Sequence, residues 1–124
     1  MVELNDLSHF HLQVSFFKLW WEEQTDKVRQ DMARLAREGR FEFVQGGWVM
    51  NDEANTHYFA ILNQMMDGHE WLKKNLPDAV PNVGWAIDPF GLSPFMAQVN
   101  SMFGFNAMHI QVIYNTVYCI SYFI

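Results

Sequence analysis

The sequence alternates helical and extended patterns three times, with short connections between them. Apolar residues recur at helical spacing in residues 16–38, 53–75 and 95–103, and β-branched or aromatic runs occupy residues 41–45, 83–87 and 106–111. Such alternation predicts an α/β fold with a parallel sheet, because each helix returns the chain to the same edge. No linker, repeat or low-complexity segment divides the sequence, so we expect one unit over residues 1–124.

Several residues indicate where the predicted helices begin and end. Gly39 is placed to end the first helix, and Asn51 to cap the second, with Asp52 and Glu53 in its first turn. Ser93-Pro94 predicts the start of the third helix, since proline needs no N–H donor at the first helical position. The second helix is expected to bury one apolar face, made of Tyr58, Ile61, Leu62, Met65, Met66 and Leu72. The third is expected to cover Phe95, Met96, Val99, Met102 and Phe103 and to stop at Gly104.

Asp88 is the most informative polar residue, because it closes the apolar strand around residues 83–87 and precedes Pro89. Proline cannot donate to a central strand, so Asp88 should fall at the carboxyl end, where open parallel sheets hold ligands. It is also the last formal charge, since residues 89–124 contain no Asp, Glu, Lys or Arg. A carboxylate in apolar surroundings needs a cation or several N–H donors to stay ionised. The alternative is a turn-forming or helix-capping aspartate that backbone amides satisfy.

The carboxyl edge of the predicted sheet gathers further candidates. The 46–53 loop, Asp88 and the segment after His109 should converge on one cleft. Asp52 or Glu53 would there be a second carboxylate beside Asp88, although a helix amino terminus explains both more simply. Trp48 and Trp85 lie near the same edge and are weak candidates for stacking on a sugar ring, the alternative being two core aromatics. The sequence pattern by itself therefore predicts an α/β domain with one carboxylate available for chemistry at the cleft.

Composition excludes several classes of protein. A hydrophobic fraction of 50% excludes disorder, and a net charge of -6 argues against a nucleic-acid partner. The single cysteine, Cys119, permits neither an intramolecular disulfide nor a cysteine-based zinc cage. His57 and His69 are too far apart on one helix to share an ion, whereas His9 and His11 could ligate weakly or simply lie on the surface.

Neither end of the sequence indicates membrane targeting. The amino terminus has no basic region followed by an apolar stretch, so we expect no signal peptide. The final stretch, residues 112–124, is apolar and aromatic but too short and too polar for a good membrane helix. As a strand without charged residues it would be prone to aggregation.

Two long motifs carry a resemblance to a known family. Residues 43–58 read FVQGGWVMNDEANTHY and residues 84–94 read GWAIDPFGLSP. They closely resemble the amino-terminal catalytic domain of the class II α-mannosidases, glycoside hydrolase family 38. The resemblance extends over residues 13–111 and leaves residues 112–124 as a divergent apolar tail. Residues 51–54 are closer to the lysosomal members, and residues 68–72 and 84–88 to the Golgi members.

The resemblance implies a retaining, zinc-dependent glycosidase that cleaves terminal α-mannose from N-glycans in the lumen of the secretory pathway. It implies a (β/α) barrel-like catalytic domain in which the aspartate of the second motif, here Asp88, is both nucleophile and Zn²⁺ ligand. Mannose-containing glycans are the implied partners. Zn²⁺ would hold the carboxylate ionised, and retention needs a second carboxyl group about 5–5.5 Å away.

The sequence also departs from the family pattern. The His-x-Asp zinc motif has no match before Gln13, Leu92 stands where histidine is usual, and Val112 replaces an arginine. The acid/base aspartate and the remaining zinc-ligand histidine lie, in the family, beyond the end of this sequence. We therefore expect a portion of a catalytic domain that is inactive alone, within a parent that hydrolyses α-mannosides. Its partner would be the rest of the domain or another chain. The alternative is a non-catalytic interaction or scaffold protein on the same fold.

Overall fold

The computed structural model describes residues 13–110 and the strand at 118–121. In chain order the elements are α1 Val14–Glu22, α2 Asp26–Arg37, α3 Tyr58–Asn75, β1 Val83–Ala86, α4 Pro94–Met102, β2 Ala107–Ile110 and β3 Tyr118–Ser121. Helices and strands in this order confirm the α/β class.

The sheet has the order β1-β2-β3 and contains both parallel and antiparallel pairs. β1 and β2 are parallel, with Val83 opposite Ala107, and α4 connects them. This βαβ unit confirms the parallel pairing predicted for these two strands. β3 is antiparallel to β2, with Ala107 opposite Ser121, so the expectation of a wholly parallel sheet is wrong at this edge. Only a few residues separate the two strands, which suits an antiparallel return better than a crossover.

The first predicted strand, residues 41–45, does not form as a strand, and only Phe43 makes an isolated β-bridge. Gln45 and Gly46 both have positive φ, 58° and 69°, and this left-handed backbone ends the extended segment after Val44. The segment still lies against β1, because the N–H of Gln45 donates to the Val83 carbonyl at 2.7 Å. Phe41 and Phe43 are buried, so the apolar pattern correctly predicts burial but not a ladder.

The first predicted helix, residues 16–38, is two helices. α1 ends at Glu22, and Thr25 caps α2 by accepting the N–H of Val28. Arg29 then donates to the carbonyls of Trp21 at 3.1 Å and Glu22 at 3.3 Å, which satisfies the end of α1. The predicted end is confirmed, since α2 stops just before Gly39, where φ is 67°.

The second predicted helix begins later than expected. α3 starts at Tyr58 with His57 as its cap, so the predicted cap at Asn51 is wrong. Asp52 instead accepts the N–H groups of Ala54 and Asn55 at 2.8 and 3.1 Å, which closes a turn before the helix.

The buried face of α3 consists of Ile61, Met65, Gly68 and Leu72. Tyr58 and Met66 are exposed, contrary to expectation, whereas Gly68 lies under the 46–48 backbone. A methyl group at Gly68 would meet the nitrogen of Trp48 at 2.7 Å and the Gly46 carbonyl oxygen closer still. The backbone of α3 at Gly68 is therefore in direct contact with the backbone of residues 46–48.

α4 begins as predicted. The Ser93 hydroxyl accepts the N–H of Phe95 at 3.2 Å, and Pro94 is the first helical residue. Met96 and Val99 are buried on this helix, whereas Phe95 and Met102 are exposed.

The main apolar core lies where α1 packs beside α3. It consists of Val14, Phe17, Trp21, Ala36, Phe41, Phe43, Leu72, Leu76 and Ala79. Phe17 and Phe43 meet edge to face with ring centres 4.9 Å apart, and Phe41 and Phe43 do so at 5.1 Å. We call this set the aromatic core.

Several predictions fall outside the described residues. They concern His9, His11, the side chain of Cys119 and most of the 112–124 tail. Among the helices that the structure describes, none has the length and apolar character needed to cross a membrane.

Candidate functional site

Asp88 lies where the sequence predicts it, just beyond the carboxyl end of β1. The strand ends at Ala86, and the Asp88 carbonyl accepts the N–H of Phe90 at 2.9 Å in the turn that follows. Its side chain is exposed, and it forms no hydrogen bond or ion pair with any residue that the structure describes. The capping alternative fails, because Ser93 caps α4. Asp88 is thus available to a ligand.

Asp88 lines a narrow cleft that is partly open to solvent, with a cavity volume of about 10 Å³. Its lining comes from two loops, β1 and α4, and consists of Met50, Asn51, Glu53, Trp85, Ala86, Asp88, Phe90, Gly91 and Met96. The predicted convergence of the 46–53 loop and Asp88 is therefore confirmed. Of the segment after His109, which we also expected at this cleft, Ile110 is not among the lining residues, and residues 111–117 lie outside the described part of the chain.

Glu53 supplies a second carboxylate to this cleft. Its Oε2 accepts the N–H of Ser93 at 2.6 Å, between residues forty positions apart. Burial raises the pKa of Glu53 above its usual value, and the Ser93 N–H partly offsets that rise. The helix-terminus explanation for Glu53 is wrong, because α3 begins five residues later.

Asp52 has a different role from its neighbour. The side-chain amide of Asn55 donates to Oδ2 at 2.9 Å and, with two backbone N–H groups, lowers the pKa of Asp52. Asp52 is a turn-forming residue, and it is not among the residues that line the cleft.

The two candidate tryptophans are separated. Trp85 lines the Asp88 cleft, and its ring centre lies 5.4 Å from that of His109. Trp48 lines a different depression, together with Asp67, Glu70, Trp71 and Lys74. The structure therefore brings only Trp85 to Asp88.

A buried polar network beneath β1 was missed by the sequence reasoning. The Gln45 side chain accepts the N–H of Trp85 at 2.7 Å and donates to Asn100 Oδ1 and Met65 Sδ, both at 3.2 Å. Asn100 in turn donates to Met108 Sδ at 3.3 Å. We call Gln45, Asn100, Met65 and Met108 the polar seam. The seam holds β1 in place through the Gln45 side chain, whereas the sequence predicted a neighbouring strand at residues 41–45.

One signal could have found part of this seam. Met96, Val99, Asn100 and Phe103 follow helical spacing, which places Asn100 on an otherwise apolar stripe. A polar residue there must find buried partners. No comparable signal marks Gln45, whose role depends on its left-handed backbone.

The described residues do not form a complete metal site. No group of three or more His, Cys, Asp or Glu side chains within residues 13–110 is arranged to hold an ion. The cleft offers the carboxylate of Asp88, whereas Glu53 is engaged by Ser93. Zn²⁺ sites in enzymes use three protein ligands or more, so the described donor set does not fit such an ion by itself.

Comparison with known proteins identifies the family. A sequence model described as the glycosyl hydrolases family 38 N-terminal domain matches residues 1–117. Alpha-mannosidase 2 of Rattus norvegicus is 44% identical over 105 residues, which is 85% of this chain and 9% of the relative. Lysosomal alpha-mannosidase of Cavia porcellus is 44% identical over 99 residues, 79% of this chain and 10% of that relative. Alpha-mannosidase 2 of Arabidopsis thaliana is 42% identical over 99 residues, 80% of this chain and 8% of that relative.

The chain thus spans about a tenth of the length of these relatives. The family match covers nearly all of its sequence, including both motifs and the cleft between the two loops. This chain belongs to glycosyl hydrolase family 38, through the N-terminal domain of that family.

Proposed function

We propose that this chain contributes the nucleophile, Asp88, to a retaining α-mannosidase. One observation carries the proposal: in a family 38 sequence, an exposed carboxylate without a protein partner lies in a cleft at the carboxyl end of β1. The names of the relatives support α-mannosides as the substrate. Terminal α-mannose of N-glycans is the specific substrate proposed.

The proposed reaction follows the double displacement of retaining glycosidases. The Asp88 carboxylate attacks the anomeric carbon and forms a mannosyl-enzyme ester, while a separate acid protonates the departing glycosidic oxygen. Water, deprotonated by the same acid/base group, then cleaves the ester. Glu53 is already bound to the Ser93 N–H, so we assign the acid/base role to a residue of the larger enzyme.

Zn²⁺, the barrel-like architecture and the location belong to the same proposal. The family resemblance supports Zn²⁺ with Asp88 as one ligand, but the described residues do not complete its ligand set, so we assign no catalytic step to the ion. The βαβ unit of β1, α4 and β2 supports a (β/α) barrel-like catalytic domain. The relatives named lysosomal support a secretory-pathway lumen, in the Golgi or lysosome.

The proposed partner of this chain is the remainder of such a catalytic domain or another chain that supplies it. Large apolar side chains on α1 and α3 support this, since Phe16, Leu19, Phe59 and Met66 are each about 60% exposed. These side chains also favour the second candidate, an interaction or scaffold protein on the same fold.

A chimeric enzyme tests the role of Asp88. Residues 13–110 of this chain replace the matching segment of the rat alpha-mannosidase 2, and release of 4-nitrophenol from the aryl α-mannoside is measured. We expect activity in the chimera and a loss of about a thousandfold or more in kcat for Asp88→Asn, because the nucleophile is removed. Asp67→Asn is the matched control, since Asp67 lies on α3 outside the cleft. A folded chimera that keeps its activity in Asp88→Asn refutes the proposal.

Experiments on the isolated chain test whether it retains a catalytic site of its own. The 124-residue protein is expected to release no mannose from the aryl α-mannoside, because the proposal assigns the acid/base group to the larger enzyme. In a calorimetric titration with Zn²⁺, tight binding that Asp88→Ala abolishes would support a catalytic site that survives in the isolated chain. Absence of binding is expected for both candidates, since the described donor set does not hold Zn²⁺ by itself.

A further inference from the structure

The loop that carries Asp88 has few contacts of its own. The side chains of Ile87, Phe90 and Leu92 are exposed. Within residues 87–92, the backbone hydrogen bond that the structure describes is donated by the Phe90 N–H to the Asp88 carbonyl. A loop with so little burial opens at low cost unless a neighbouring element holds it. The end of the loop at Ser93 is where such a hold is found.

Glu53 binds the end of this loop. Its carboxylate accepts the Ser93 N–H at 2.6 Å, a short bond in which the acceptor carries charge. Glu53 is half-buried, and reduced solvation strengthens the bond further. Ser93 also caps α4 through its hydroxyl group, so Glu53 fixes the residue at which the Asp88 loop becomes helix.

The segment that presents Glu53 is itself fixed to α3. The side-chain amide of Gln64 donates to Asn51 Oδ1 at 3.2 Å, and its Oε1 accepts the Val49 N–H at 3.1 Å. The turn at Asp52 holds the other side of the segment. Hydrogen bonds therefore fix Val49 and Asn51 to α3, and Glu53, two residues further along the chain, binds the end of the Asp88 loop.

We infer that Glu53 is a positioning residue, whose carboxylate holds the Asp88 loop against the opposite rim of the cleft through the Ser93 N–H. The inference rests on the proposed function insofar as Asp88 is the reacting group. Glu53 does not itself attack or protonate the substrate. It acts by limiting the positions open to the loop, and misplacement of a reacting group by about 1 Å costs about a hundredfold in rate.

Nuclear magnetic resonance of the 124-residue protein tests this inference without requiring activity. In the wild-type protein the Ser93 amide proton should resonate downfield and exchange slowly with solvent. In Glu53→Ala we expect Ser93 and Phe90 amides to exchange about tenfold faster or more, and the side-chain carboxyl carbon signal of Asp88 to shift. Glu53→Gln keeps an oxygen acceptor and should restore most of the protection.

The matched control is Glu70→Ala, which removes an exposed glutamate of α3 that lines the other depression. It should leave the Ser93 and Asp88 signals unchanged. Free exchange of the Ser93 amide in the wild-type protein would overturn the inference, and this measurement requires no variant. Equal exchange in Glu53→Ala and wild type also overturns it, as does failure of Glu53→Gln to restore protection. These readouts are independent of mannoside hydrolysis, so the proposed function and this inference can fail separately.

Discussion

The aromatic core and the polar seam stabilise the same molecule by different means. In the aromatic core, Phe17 and Phe43 pack edge to face and are almost fully buried, with no hydrogen bond required of either ring. In the polar seam, Gln45 and Asn100 are also almost fully buried, but each must find defined partners. Apolar packing depends mainly on volume, whereas the seam depends on the direction of individual bonds.

The difference shows which region positions the cleft. The aromatic core joins α1 to α3, and none of its residues lines the cleft, so we assign to it mainly a contribution to the free energy of folding. The polar seam touches β1 at Trp85, three residues before Asp88. We therefore expect changes in the core to act on overall stability and changes in the seam to act on the geometry of β1 as well.

The largest effect is expected for Phe43→Ala. Phe43 has no exposed surface and contacts two aromatic rings, so its removal leaves a cavity worth about 3–5 kcal/mol of unfolding free energy. Urea denaturation followed by tryptophan fluorescence measures this loss. Phe16→Ala, at a residue 64% exposed, is the matched control and should change stability by less than about 0.5 kcal/mol. Equal effects in the two variants would contradict the assignment of the core.

A smaller but more local effect is expected for Gln45→Leu. This variant keeps the approximate volume and leaves the Trp85 N–H and Asn100 Oδ1 without their partner, at a cost of about 1–3 kcal/mol. Hydrogen exchange of the Trp85 amide should be faster in Gln45→Leu than in the wild type. Phe43→Ala should not show this local increase. If Gln45→Leu and Phe43→Ala increased the exchange rate of the Trp85 amide equally for the same loss of unfolding free energy, the distinction between core and seam would be contradicted.

The smallest effect is the pH dependence from His69, which borders the seam. Its Nε2–H donates to the Gln45 carbonyl at 2.9 Å, and its ring packs on Phe103 and Phe105. Burial lowers the pKa of His69 below the usual 6.5, and the bond to Gln45 opposes this in part. The unfolded state then binds more protons below about pH 6.5, so stability is full above that pH and falls as the solution is acidified.

The test compares the wild type with His69→Gln, which keeps a donor but does not titrate. Between about pH 7.5 and about pH 5.5, the unfolding free energy of the wild type should fall more than that of the variant. The raised pKa of Glu53 has the opposite sign, since it favours the folded state at low pH, but it is common to both proteins and cancels. Identical pH slopes would show that His69 titrates alike in both states.

Sequence reasoning succeeded where local chemistry determines the structure. Ser93-Pro94 specifies the start of α4, and the Asp88-Pro89 pair limits β1, because proline geometry acts within one or two residues. Asp88 was placed correctly at the carboxyl end of a strand for the same reason. Its predicted roles as nucleophile and Zn²⁺ ligand stay predictions, since they depend on groups beyond the described residues.

The sequence predictions failed where contacts between residues far apart in the chain determine the local structure. The apolar run at 41–45 was expected to be a strand, but Gln45 leaves the extended conformation to bind Trp85, forty residues later. The acidic pair at Asp52 and Glu53 was attributed to a helix terminus, whereas Asp52 closes a turn and Glu53 binds Ser93. Spacing alone carries no information about partners at such separations.

The contact at Gly68 also has a consequence for one rim of the cleft. Because a hydrogen atom occupies the space where other residues carry a side chain, α3 and the 46–48 backbone meet directly. The rim that bears Asn51 and Glu53 continues from that backbone. A larger residue at position 68 would push the 46–48 backbone away from α3 and shift this rim relative to Asp88.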